Sequence, residues 1–163
     1  MPMLAMGMIK PPNNFNDVAP HIRQNPKYWP YFKDCIGAID STHVRALLSP
    51  KEQIPYIGRK NYPTQNIMAA CGFDMRFTFV WPGWEGTAHD THIFLAALRN
   101  PDLKSPKPPG DKYYLVDVGY PNMKGFLALI KEKDIIFHIF VVVVNQEVVE
   151  KYSTKPIHHC EVL

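Results

Sequence analysis

Two aspartates in this chain each follow a short apolar run and precede small residues. Asp40 ends "CIGAID", and Asp117 ends "YYLVD". A carboxylate in this place is often only a strand terminator, but two such carboxylates can also meet at one edge of an α/β sheet. Close carboxylates repel each other unless a proton or cation lies between them, and oxygen ligands of this kind suit Mg²⁺ or Mn²⁺. The pattern therefore leaves two interpretations open: strand ends, or ligands of a divalent ion that activates water or a hydroxyl for attack on phosphate.

The segments around these aspartates predict strands that can lie side by side. "YFKDCIGAID" is a first strand with an apolar end, and residues 67–72 and 77–81 are expected to form a hairpin. The chain between Asp40 and Asp117 holds this hairpin and a helix, which is enough for a crossover between parallel neighbours. Parallel neighbours would bring both carboxylates to the same edge.

The segment "TAHDTHIFLAALRNPD" predicts the main helix. Thr87 is the expected N-cap with Asp90 three residues later, and Asn100-Pro101 ends the helix. A second, short helix is expected around "DVAPHIRQ".

Composition limits the class of protein. The chain has 163 residues, is 46% hydrophobic and carries a net charge of +3, which fits one globular domain with a mildly basic surface. Three cysteines without a CxxC pair favour a reducing compartment and argue against a disulfide-linked secreted domain. No ordering of Cys, His and Asp points to a thiol nucleophile, which argues against a cysteine hydrolase. The longest apolar run, "IIFHIFVVVV", is too short to span a bilayer as a helix.

A polar segment, "GRKNYPTQN", carries the candidate contacts to nucleic acid. Arg59 and Lys60 could bind phosphates, and Tyr62 could stack on an unpaired base, although a solvated loop explains the same residues. His43 follows Asp40 closely and either contacts a phosphate or packs against the hairpin.

Three motifs together resemble a known family. "YFKDCIGAIDSTHV", "GRKNYPTQNIMAACGFDMRFTFVWPGWEGTAHDTHIF" and "YYLVDVGYPNMKGFLA" resemble the DDE-superfamily endonuclease domain of PIF/Harbinger-type transposases and the transposase-derived nucleases common in plants. The resemblance implies an α/β, ribonuclease-H-like mixed sheet with an antiparallel hairpin edge and flanking helices, and a divalent metal ion, Mg²⁺ or Mn²⁺. Asp40 and Asp117 match two catalytic acids of the family. Asp90 matches a further acidic position and is a candidate metal ligand.

The sequence departs from the family at two places. Ser41 stands where the family motif usually has glycine. The third catalytic acid of the family belongs to a motif resembling N-x-x-E-R-x-F-G on a later helix, and nothing after Leu129 matches it. Three glutamates occur there in unrelated surroundings: Glu147, Glu150 and Glu161.

These departures predict a domain organisation in three parts. We expect an irregular lead-in over residues 1–29, a nuclease core over residues 30–129 and a divergent tail over residues 130–163, with a fold that is incomplete at its C-terminus. The third acid would then be missing.

Two functions follow from the resemblance. The first is a metal-dependent DNA nuclease that cleaves phosphodiester bonds, with Asp40 and Asp117 as catalytic metal ligands and Asp90 as the first substitute to test for the third acid. The second is a catalytically inactive, domesticated remnant that binds DNA or a protein. The family role implies DNA and a separate DNA-binding protein as partners, no membrane, and residence in the nucleus, with the cytoplasm as a second compartment.

Overall fold

A five-stranded sheet with two helices forms the core of the chain. The computed structural model describes residues 18, 20–26, 28–73 and 76–128. The strands are β1 (Cys35–Arg45), β2 (Thr64–Cys71), β3 (Phe77–Glu85), β4 (Tyr113–Val116) and β5 (Phe126–Ala128), and the helices are α1 (Pro20–Arg23) and α2 (Asp90–Arg99). No helix in these described ranges has the length and apolar character needed to cross a membrane.

The strand order is β3-β2-β1-β4-β5. The β1–β2 and β2–β3 pairs are antiparallel, whereas β1–β4 and β4–β5 are parallel. This mixed sheet, with its hairpin at one edge, confirms the expected α/β, ribonuclease-H-like arrangement. The expected incompleteness at the C-terminus concerns residues outside the described ranges.

The two faces of the sheet bury different apolar clusters, because successive side chains of a strand point to opposite sides. We call one side the α1 face; its cluster consists of Ile22, Cys35, Ala38, Val44, Ile67, Ala69, Cys71 and Leu115. We call the other the α2 face; its cluster includes Ile39, Met68, Ala70, Ile93, Phe94, Tyr114, Val116 and Tyr120. Every residue of β2 is buried, as expected for a strand with neighbours on both sides and cover on both faces.

Gly37 permits the close approach of β1 to the end of β2. A Cβ at this position would lie 2.1 Å from the carbonyl oxygen of Cys71, a distance that only glycine avoids. The β1–β4 register shifts between Cys35 and Gly37, so the regular parallel pairing begins immediately before the segment that leads to Asp40. The glycine therefore fixes the strand alignment on which the candidate site depends.

Strand β3 is longer than the sequence predicted. The expected end at residue 81 is wrong, because β3 continues through Pro82 and Gly83 to Glu85. β3 is the edge strand, so the missing N–H of Pro82 need not cost a ladder hydrogen bond, and a register shift accommodates the extra residue. The short strand β5 was not anticipated, since three residues are too few to show a strand pattern.

Helix α2 begins later than predicted. It starts at Asp90 with His89 in the N-cap position, and no side chain caps it. The expected N-cap, Thr87, instead donates its hydroxyl hydrogen to the carbonyl oxygen of Pro55, 3.0 Å away in the β1–β2 loop. The helix ends at Arg99 before Asn100, as predicted.

Candidate active site

The parallel register of β1 and β4 brings Asp40 and Asp117 to neighbouring positions. Ile39 is paired with Val116, the last residue of β4, and Asp40 and Asp117 are the residues that follow this pair. Asp40 does not end its strand, because β1 continues to Arg45. Neighbouring strands are about 4.8 Å apart. The prediction that the two acidic strands are parallel neighbours is therefore confirmed.

By the alternation of β1, Asp40 belongs to the α1 face. Asp40 lies opposite Ala69, and Ala38, two residues earlier on β1, is also in the α1 cluster. Leu115 of β4 belongs to the same cluster, and Asp117 follows two residues later, directly after the end of β4 at Val116. Continued alternation would put the Asp117 side chain on the same face as Asp40.

Asp40 is in an environment that disfavours its ionised form. The pKa of Asp40 is raised to about 7, chiefly by burial; the Ser41 backbone N–H opposes this shift, and the negative charges of Asp117 and Asp90 make smaller contributions to it. Within the described part of the chain, no ion pair to Asp40 is formed. A bound proton or cation would relieve the repulsion between the two carboxylates.

Asp90 is hydrogen-bonded to the sheet. Its Oδ1 accepts a hydrogen bond of 2.6 Å from Nδ2 of Asn66, a fully buried residue of β2 that shares the α2 face with Met68. The negative charge of Asp90 also contributes to the raised pKa of Asp40. Among the described residues, no three His, Cys, Asp or Glu side chains are arranged to hold a metal ion. The assignment of Asp90 as a metal ligand stays a prediction from the sequence.

His43 lies beside the hairpin. It is half-buried, is paired across the strands with Asn66, and its Nδ1 is 3.4 Å from Oγ1 of Thr64. Burial lowers the pKa of His43; Asp90 opposes this shift, while the positive charges of Lys60 and Arg59 lower the pKa further. The neutral ring is therefore favoured, on the opposite face of the sheet from Asp40.

The basic loop, residues 46–63 between β1 and β2, leaves the sheet at the carboxyl end of β1. Arg59, Lys60 and Tyr62 are all exposed on it. The guanidinium carbon of Arg45 lies 5.3 Å from the centre of the Tyr62 ring, a cation–π contact that links the strand end to the loop. Positive charge and an aromatic face thus lie at the same end of the sheet as the two carboxylates.

Sequence reasoning missed three polar side chains that organise this end of the sheet. Asn66 bonds Asp90, the Tyr120 hydroxyl donates to Oγ of Ser41 at 2.9 Å, and Thr91 donates to the carbonyl oxygen of Gly119 at 2.6 Å. The available signals were weak: an asparagine directly before the apolar part of β2 and an aromatic residue three positions after Asp117. The glutamates considered for the third acid, Glu147, Glu150 and Glu161, lie outside the described residues.

Comparison with known proteins adds one match. A family model described as DDE superfamily endonuclease matches residues 39–156, a range that begins at the end of the β1 core and includes both Asp40 and Asp117. It also includes residues 130–156, so the predicted division at residue 129 stays a prediction. No curated protein and no solved structure matches the chain significantly.

Proposed function

The chain belongs to the DDE superfamily endonucleases, a family of metal-dependent nuclease type, and we propose that it is a DNA nuclease domain in which Asp40 and Asp117 hold the metal. The observation that carries the proposal is the Ile39–Val116 register, since Asp40 and Asp117 directly follow these two paired residues on neighbouring parallel strands. The same proposal includes a PIF/Harbinger transposase origin, supported by the three motifs quoted above.

The residues present fit a hard divalent cation. Two carboxylates on one face offer oxygen donors, and the raised pKa of Asp40 reflects a place where uncompensated negative charge is costly. Mg²⁺ and Mn²⁺ are bound in such sites through one or two carboxylates, with water and substrate phosphate completing the shell. When bound, an ion of this kind supplies Lewis-acid activation of the attacking hydroxyl and of the scissile phosphate.

The protein's own residues would bind and orient the DNA. The exposed Arg59 and Lys60 are suited to contact phosphates, and Tyr62, held against Arg45, offers a ring on which an unpaired base can stack. His43 is a further candidate phosphate contact. Its neutral ring is favoured, and its side chain is half-buried, whereas Arg59 and Lys60 are exposed. The DNA would then pass over the end of the sheet where β1 and β4 end.

A second candidate function is a domesticated module that binds DNA or a partner protein without cutting. The observation that favours it is the acid count: the described residues provide only Asp40 and Asp117 on the α1 face, with Asp90 occupied by Asn66. Both candidates imply work on chromosomal DNA, with a separate DNA-binding protein as partner, so we place the protein in the nucleus, with a cytoplasmic pool.

Cleavage of supercoiled plasmid separates the two candidates. We expect the purified chain to nick plasmid with Mn²⁺ or Mg²⁺, to stop with EDTA, and to lose this activity in Asp40→Asn. Asp111→Asn is the matched control, because Asp111 is exposed at the other end of β4. If the wild type cuts no more than Asp40→Asn, the nuclease proposal is abandoned. Retained plasmid binding would then favour a DNA-binding module, and no binding would leave only a module that binds a partner protein.

A further inference from the structure

The turn between β3 and α2 contacts three separate parts of the proposed site. This hub segment, residues 86–91 ("GTAHDT"), connects the edge hairpin to the main helix. Its side chains and backbone contact β2, the basic loop and the turn that follows Asp117. The segment is part of the second of the three motifs that resemble the family, and Asp90 within it is the candidate metal ligand suggested by the sequence.

The first contact fixes the hub segment to the sheet. Asp90 Oδ1 accepts the 2.6 Å hydrogen bond from Nδ2 of Asn66, and the same Nδ2 lies 3.4 Å from the carbonyl oxygen of Ala88. Asn66 is completely buried, and its Oδ1 has no partner. A charged acceptor of this kind contributes more than a neutral one, so Asp90 is the main anchor of the start of α2 on β2.

The second contact holds the turn that carries Asp117. The hydroxyl of Thr91, the residue after Asp90, donates to the carbonyl oxygen of Gly119 at 2.6 Å. A Cβ at Gly119 would lie only 3.7 Å from Oδ2 of Asp117, so the bonded peptide and the carboxylate are neighbours. A shift at the start of α2 would therefore be transmitted to the carboxylate of Asp117.

The third contact holds the basic loop. Thr87 donates to the carbonyl oxygen of Pro55, and Gly86 packs so closely that an added Cβ would lie 2.6 Å from the carbonyl oxygen of Tyr56. On the loop itself, a Cβ at Gly58 would lie 2.8 Å from the carbonyl oxygen of Gly86. Gly58 directly precedes Arg59, so the hub segment fixes the start of the basic stretch.

From these contacts we propose that Asp90 is a positioning residue: through Asn66 it anchors the hub segment, which sets the Asp117 turn and the basic loop relative to each other. This inference rests on the proposed function of Asp40 and Asp117 as metal ligands, and it replaces the ligand role that the sequence suggested for Asp90. The Oδ1 of Asp90 is occupied by a buried amide.

The conservative variant Asp90→Asn separates positioning from ligation. An asparagine retains an oxygen that can accept from Asn66, so we expect Mn²⁺ affinity within about twofold of the wild type and kcat within about threefold. Asp90→Ala removes the acceptor, and we expect kcat to fall about 10-fold, the usual effect of losing a residue that orients a ligand. If Asp90→Asn loses as much Mn²⁺ affinity as Asp40→Asn, Asp90 is a ligand and the proposal is wrong.

A double-mutant cycle tests whether Asp90 acts through Asn66. We expect Asn66→Ala to lower kcat about as much as Asp90→Ala, and the double variant to be no worse than either single variant, because both remove the same bond. Effects that simply multiply would overturn the proposal. Circular dichroism melting of each variant identifies loss of fold, and Asp90→Asn remains informative if the alanine variants unfold.

Mn²⁺ binding, measured by electron paramagnetic resonance, tests the proposed metal site separately from the anchoring role of Asp90. If Asp40→Asn binds Mn²⁺ as well as the wild type, the proposed metal site fails. In that case hydrogen exchange at the Tyr120 amide, which bonds the carbonyl oxygen of Asp117 at 2.9 Å, still tests the anchoring. Exchange must rise in Asp90→Ala and not in Asp90→Asn; equal exchange in Asp90→Ala and wild type overturns the proposal.

Discussion

The two faces of the same strands use acidic side chains in opposite ways. On the α1 face, Asp40 and Asp117 are neighbours of like charge, and the pKa of Asp40 is raised by burial and by that charge. On the α2 face, Asp90 accepts a hydrogen bond from Asn66, and the Tyr120 hydroxyl donates to Ser41. One face holds carboxylates that repel each other, and the other holds polar groups that are paired.

This difference distinguishes side chains suited to catalysis from side chains that stabilise the fold. A paired buried polar group stabilises the fold, whereas clustered like charges destabilise it and persist at sites where a cation or substrate relieves them. Tyr120 belongs to the first kind, since burial and then the charge of Asp40 raise its pKa and keep its hydroxyl a hydrogen-bond donor. This comparison agrees with our proposals, which give Asp40 and Asp117 the catalytic role and Asp90 a positioning role.

The largest expected effect is loss of cleavage on removal of the second α1-face acid. Asp117→Asn should lower metal-dependent plasmid nicking by at least about 100-fold, because one remaining carboxylate cannot hold the ion in place. The melting temperature should be unchanged or higher. If Asp117→Asn nicks plasmid as fast as the wild type, the proposed difference between the two faces is wrong, and Asp117 only terminates a strand.

The next effect concerns stability in metal-free buffer. The folded pKa of Asp40 is raised from 3.8 to about 7, so the folded protein binds the proton more tightly than the unfolded chain does. Stability is therefore highest below about pH 4 for this group and is lost as the pH rises towards 7. In EDTA at pH 8, we expect Asp40→Asn to be more stable by about 2 kcal/mol, or about 6 °C in Tm.

Thermal melts from pH 4 to 8 test the direction of this pH dependence of stability. The advantage of Asp40→Asn should be absent near pH 4 and should grow with pH, while Asp111→Asn should melt like the wild type throughout. Equal melting of Asp40→Asn and wild type at pH 8 would show that the α1 face tolerates the charge without a cation.

A smaller effect is expected for DNA affinity. The double variant Arg59→Ala/Lys60→Ala should weaken DNA binding about 10-fold and lower the salt dependence of log K by about 2, one for each lost phosphate contact. Lys107→Ala/Lys124→Ala is the matched control, since both lysines are exposed and precede β4 and β5 at their amino ends. Equal loss in both pairs would mean that net charge, not the basic loop, binds DNA.

The smallest effect is expected on the α2 face. Tyr120→Phe removes the donor to Ser41 and should cost about 1 kcal/mol, or about 3 °C in Tm, without changing Mn²⁺ affinity. Tyr31→Phe, on a side chain that is 74% exposed, is the control. Loss of Mn²⁺ binding in Tyr120→Phe would show that the α2 face takes part directly in metal binding.

Much of the fold could be predicted from local patterns. The strand leading to Asp40, the hairpin and the main helix follow from apolar periodicity and from breakers such as Asn100-Pro101. The apolar pattern did not give the correct ends of the helix and strands, because tertiary contacts decide them. At the start of α2, for example, the hydroxyl of Thr87 donates to the carbonyl oxygen of Pro55 and does not cap the helix. Strand β5 was missed because only its pairing with β4 makes three residues a strand.

The sequence by itself determined the identity of the two candidate acids, Asp40 and Asp117, since an apolar run that stops at a carboxylate is visible without any structure. Only the tertiary structure decided that Asp90 is hydrogen-bonded to Asn66 of β2. Sequence distance does not report which side of a sheet a helix covers, whereas the packing of α2 against the α2 face does. The register of β1 with β4 was likewise decided by long-range pairing, which no local pattern encodes.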